Sequence, residues 1–113
     1  MSSSASTPEE LETLFEDAIL LRDPGALAAL FDDGAVLATG RQAPARDGAT
    51  IAQHALVHWH DEHVFIANPQ CVVQARDIAL IVAARSIHVA QRDNDGIWRY
   101  RIVLLADDAI DPV

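Results

Sequence analysis

The chain is punctuated in an order that leaves few architectures open. Thr7-Pro8-Glu9-Glu10 and Asp23-Pro24 each place a capping side chain before a proline suited to a first helical turn, and Asp47-Gly48 precedes a third helix-like run. After Asn68-Pro69 the pattern changes. Cys71-Val72-Val73 and residues 78–91 are rich in β-formers, and Asp93-Asn94-Asp95-Gly96 is a turn leading into Trp98-Arg99-Tyr100-Arg101-Ile102. Helices first and hairpin strands afterwards predict an α+β fold, with helices packed on a curved antiparallel sheet.

The helical faces follow from spacing. Leu11, Leu14, Phe15, Ala18 and Ile19 form one apolar stripe, with Glu12, Glu16 and Asp17 assigned to the outer face. Leu27, Leu30 and Phe31 form a second stripe, closed by Asp32-Asp33-Gly34. Ala35-Val36-Leu37-Ala38 then reads as a short strand entering a turn at Gly40, with its partner near residues 41–45. Ile51, Ala55, Leu56 and Trp59 define a third helical face from Ala49 to about His60, and Val64-Phe65-Ile66 is strand-like. Alternation assigns Trp98, Tyr100, Ile102 and Leu104 to one face of the last strand and Arg99 and Arg101 to the other, which turns apolar at Val103 and Leu105.

The 113 residues suit one domain. We expect residues 1–6 to be disordered, 7–106 to form the domain and 107–113 to be an acidic tail. A net charge of -9 repels nucleic acid and anionic membrane, and all eight basic residues are arginine. One cysteine, Cys71, allows no internal disulfide and reads as an inert buried thiol. With no secretory signal and no spanning apolar run, the expected location is cytoplasmic. The five glycines are scattered, so there is no phosphate loop, and no cofactor is expected.

The string Asp23-Pro24-Gly25-Ala26-Leu27 through Leu30-Phe31-Asp32-Asp33-Gly34-Ala35-Val36, then Gly48 and Ile51, Asp77-Ile78-Ala79-Leu80, Arg92 and Asp95-Gly96-Ile97-Trp98-Arg99 resembles the nuclear-transport-factor-2-like superfamily. That group includes ketosteroid isomerases and SnoaL-type polyketide cyclases. The likeness spans roughly residues 8–106. It implies an α+β, cone-shaped fold of three N-terminal helices against a strongly curved antiparallel sheet, a pocket in the concavity, a small apolar molecule as ligand and a homodimer paired through the sheet. Two departures stand out. The isomerases' proton-shuttling aspartate corresponds to Ala38-Thr39 and their oxyanion-site phenol to Phe15, and neither side chain performs those tasks. The segments Ala79–Arg85 and Ile87–Arg92 also run on without the usual insertion, so the sheet is shortened relative to the family.

Two sets of histidines are the candidates for chemistry. His54, His58, His60 and His63 cluster with Asp61 and Glu62; His54 and His58, one turn apart, are candidate metal ligands, and His58 is a candidate base. A solvated or dimer-edge role is the preferred reading for this cluster. His88 shares a strand face with Ser86, opposite Arg85: turned inward it is a general base in place of the missing aspartate, and turned outward, the preferred reading, it is a sheet-surface or dimer residue. Phe15, Ala38, Trp59, Trp98 and Tyr100 are the candidates for lining the pocket. The function expected is small-molecule binding; the alternatives are a proton-transfer isomerase or cyclase with a histidine base and a non-catalytic dimerisation module.

Overall fold

The computed structural model describes residues 4–39, 43–59, 69–83 and 85–105. Three helices come first: α1 (Pro8–Leu20), α2 (Pro24–Ala29) and α3 (Gly48–His58). The caps predicted at Thr7 and Asp23 are in place, and Asp47, read as a break before the third helix, caps it. Thr7 Oγ1 accepts from Glu10 N at 3.0 Å, Asp23 Oδ1 from Ala26 N at 3.1 Å and Asp47 Oδ1 from Thr50 N at 2.9 Å. The strands are β1 (Phe31–Thr39), β2 (Cys71–Ala75), β3 (Ile78–Val82), β4 (Ser86–Arg92) and β5 (Trp98–Leu105), in sheet order β1-β5-β4-β3-β2.

Strands β2 to β5 form an antiparallel meander, but β1 joins it parallel to β5. The expected partner of β1 contributes one bridge, Leu37 to Ala45. Phe31, read as the end of a helical stripe, opens β1 and pairs with Tyr100. Asp32-Asp33-Gly34, read as a helix terminator, is instead a bulge inside β1. From Phe31 to Val36 the strand advances five residues while β5 advances two, Tyr100 to Ile102, so three residues are extra. Gly34 accommodates this at φ 85°, a region costly for other residues.

A second bulge lies opposite. Ala90 pairs with Tyr100 and Val89 with Ile102, which leaves Arg101 as the extra residue of β5. Its guanidinium bonds Asp32 Oδ2 at 3.1 Å and Gln91 Oε1 at 2.9 Å, tying the two bulges together. Bulges bend a sheet and reset its alternation. The expected single face for Trp98, Tyr100, Ile102 and Leu104 is therefore corrected: Trp98, Tyr100, Val103 and Leu105 are buried on the inner face, and Ile102 and Leu104 point outward.

Three further expectations are corrected. Glu12, assigned to the outer face of α1, is 1 % exposed. Cys71 is exposed at the start of β2, not buried. Ala5, within the segment expected to be disordered, is buried and pairs with Trp98. Gly40, Arg41, residues 60–68 and the tail at 107–113 lie outside the described residues, and with them the predicted strand at Val64–Ile66. Among the described residues no helix is long and apolar enough to cross a membrane.

Candidate functional site

The inner face of the sheet carries the polar chemistry. β4 begins at Ser86, and the strand period of two aims Ser86, His88 and Ala90 inward together. On β5 the same period places Trp98 and Tyr100 beside them, and α1 crosses this face with Leu11, Glu12 and Phe15 turned towards it.

Four side chains meet there. His88 Nδ1 lies 2.7 Å from Glu12 Oε2, and His88 Nε2 lies 2.7 Å from Ser86 Oγ. The Tyr100 hydroxyl donates to the same Glu12 oxygen. Ser86 is 7 % exposed, against 1 % for Glu12 and 0 % for both His88 and Tyr100. A carboxylate only accepts, so the pairing assigns the imidazole proton to Nδ1 and turns the Nε2 lone pair towards Ser86. Burial first, then the Glu12 charge and the hydrogen bond to it, hold the Tyr100 phenol well above its ordinary value of 10.0, so it stays a donor. Glu12 Oε1 is buried and has no hydrogen-bond partner among the described residues.

Aromatic rings surround this network. Phe15 packs edge-on against Trp59 at 5.1 Å and Tyr100 at 5.3 Å between centroids, and stands 6.2 Å from the His88 ring. Trp59 is held at the end of α3 by a distant residue. Arg22, in the turn after α1, donates to the carbonyls of Trp59 at 2.8 Å and Leu56 at 2.9 Å, satisfying the end of that helix.

The candidate residues separate accordingly. Phe15, Trp59 and Tyr100 converge around His88, which faces inward and not outward as preferred from the sequence. Trp98 is buried on the same face, nearer the β4–β5 turn, with Arg92 stacked 5.6 Å over its ring. Ala38 does not join them: it pairs with Leu104 and shares the outward face. His58 is half-buried and packs edge-on against Trp59 at 4.9 Å, while His54 is half-buried on α3. No group of three ligating side chains occurs among the described residues; His60, Asp61, Glu62 and His63 are not among these. Sequence reasoning missed Glu12, although its position within the α1 apolar stripe was a usable signal.

The outer face is the inverse. Two cross-strand rows run over all five strands, Val36–Ile102–Val89–Leu80–Val73 and Ala38–Leu104–Ile87–Val82–Cys71, without a charged residue in either. Val73, Leu80, Ile87, Ile102 and Leu104 are 39–56 % exposed.

No family model matches the sequence, and no curated protein matches it. Solved structures do. The chain is similar to a ketosteroid isomerase-like protein from Erwinia carotovora atroseptica, at 16 % identity and TM-score 0.67 over 92 % of this chain and 94 % of that one. An NTF2-like protein with a cystatin-like fold from Novosphingobium aromaticivorans is 17 % identical, with TM-score 0.65 over 93 % of this chain and 80 % of that one. A domain of unknown function with a cystatin-like fold from Nostoc punctiforme is 13 % identical, with TM-score 0.66 over 94 % and 78 %. Identities this low speak for the fold alone. On that footing, the chain has the nuclear-transport-factor-2-like, cystatin-like fold.

Proposed function

We propose that this is a small-molecule-binding domain in which His88, oriented by Glu12, exchanges a proton with an apolar molecule held in the concavity. The carrying observation is the 2.7 Å contact between His88 Nδ1 and Glu12 Oε2 inside the aromatic shell. A base needs a fixed tautomer and a group that stabilises its protonated form, and a buried carboxylate supplies both. Glu12 Oε1 retains an acceptor site that a donor on the ligand satisfies. Chemistry of the ketosteroid isomerase or SnoaL-type cyclase kind suits such a base, with His88 replacing the missing aspartate.

The test is deuterium exchange at the α-carbon of small apolar ketones in heavy water, alongside quenching of the Trp59 and Trp98 fluorescence. The native chain is expected to quench and to exchange, and His88→Gln to quench without exchanging. Neither quenching nor exchange with any ketone would remove this reading.

The outer face supports a second reading, a homodimer paired through the sheet. Ten apolar positions in two uninterrupted rows offer an extended surface that a two-fold interface would bury. A cytoplasmic setting agrees with the exposed thiol of Cys71.

A further inference from the structure

Ser86, His88 and Glu12 stand in the order of a nucleophile, a base and an orienting acid. We propose that Ser86 is an acyl acceptor, and that the substrate class is a small, uncharged, apolar ester. This rests on the reading of His88 as the proton-exchanging group. The Oγ to Nε2 and Nδ1 to Oε2 separations are both 2.7 Å, the linkage that activates a serine hydroxyl irrespective of fold or chain order. Ser86 is the outermost of the four linked groups and opens its strand, which puts the reacting atom at the margin of the network. Tyr100 donates to the same carboxylate oxygen that faces His88. The Phe15 and Trp59 rings favour an apolar acyl group, and Glu12 together with the net charge of -9 disfavours an anionic one.

The steps balance without an added reagent other than water. Ser86 Oγ bonds to the ester carbonyl carbon as its proton passes to His88 Nε2. The carbon–alkoxy bond then breaks, and the departing oxygen takes that proton. Water next gives a proton to Nε2 and attacks the acyl carbon, and Ser86 Oγ leaves with the proton restored. The products are one carboxylic acid and one alcohol. Glu12 keeps its charge throughout and acts as a positioning residue.

An alkyl fluorophosphonate tests this on the full chain, because its phosphorus traps an activated serine with loss of fluoride. Intact mass and peptide mapping are expected to show one adduct, on Ser86, absent in Ser86→Ala. His88→Gln, checked for folding by circular dichroism, is expected to slow labelling by about 100-fold or more. A second readout does not depend on that variant. Ser86→Cys in a Cys71→Ser background is expected to react with iodoacetamide about 10-fold faster than the exposed Cys71 of the native chain, since a neighbouring imidazole promotes the thiolate. No adduct on Ser86, an adduct formed at full rate in folded His88→Gln, or an introduced thiol slower than Cys71 would each overturn the proposal. Ketone exchange without a Ser86 adduct overturns this proposal alone; loss of both overturns the His88 reading as well.

Discussion

The two faces of this sheet each carry an exception to the usual distribution of polarity. The inner face, shielded by α1 and aromatic rings, holds Glu12, Ser86, His88 and the Tyr100 hydroxyl, whereas the outer face displays branched aliphatic side chains from every strand. Each arrangement is unfavourable alone. Buried polar groups lose hydration that only good partners restore, and exposed aliphatic rows order water over a wide patch. If the inner face serves as the proposed site and the outer face as the proposed interface, the two should respond differently to substitution.

Breaking the inner face should have the largest effect. His88→Ala takes one hydrogen-bond partner from each of Glu12 and Ser86 and opens a cavity, so urea denaturation should show a loss of about 3–5 kcal/mol. The triple replacement Glu12→Leu, His88→Leu and Tyr100→Phe removes the polar groups together and should cost less than His88→Ala, which separates network from packing. Tyr100→Phe alone takes one donor from Glu12 and should cost about 1–3 kcal/mol in the same measurement.

The outer face should respond in assembly, not folding. Leu104→Lys is expected to stay within about 0.5 kcal/mol of the native monomer's stability while shifting light-scattering mass from dimer to monomer. An unchanged mass in both proteins would remove the interface reading.

The smallest effect belongs to the turns that frame the faces. Asp47 is held below the ordinary carboxyl value of 3.8 chiefly by the backbone bond from Thr50, and Asp93 chiefly by that from Ile97. A lowered folded value means stability that is present above about pH 3.8 and lost as pH falls through the folded value. Asp47→Asn and Asp93→Asn should each flatten the stability profile below pH 4 and leave it unchanged at pH 7 in slope.

How far the sequence could be read depended on the range of each interaction. The caps at Thr7 and Asp23 and the Asp93–Gly96 turn were legible because each is settled within four residues. The bulges at Asp32–Gly34 and Arg101 were not, since an extra residue exists only relative to a neighbouring strand. Ile102 and Leu104 were therefore assigned to the wrong face while Trp98 and Tyr100 were placed correctly. Glu12 was misassigned for a different reason. It precedes Ile19 by seven residues, about 20° short of two full turns, and so lies on the direction of the apolar stripe. A charge in that position signalled a buried partner, but its polarity was read ahead of its angle. Ser86 and His88 were correctly placed on one face, and which face it was depended on Glu12.

The pairing of β1 with β5 has a consequence for biosynthesis. Val36 and Ile102 are neighbours in the sheet but 66 residues apart in the chain, and parallel pairing allows no short hairpin to join them. At ribosomal speeds of about 5–20 residues per second, β1 waits roughly 3–13 s before its partner strand is made. During that interval α1 and α2 have been synthesised, but the strands that bring His88 and Tyr100 to Glu12 have not, so the nascent chain carries an acid in an apolar stripe with nothing yet to neutralise it.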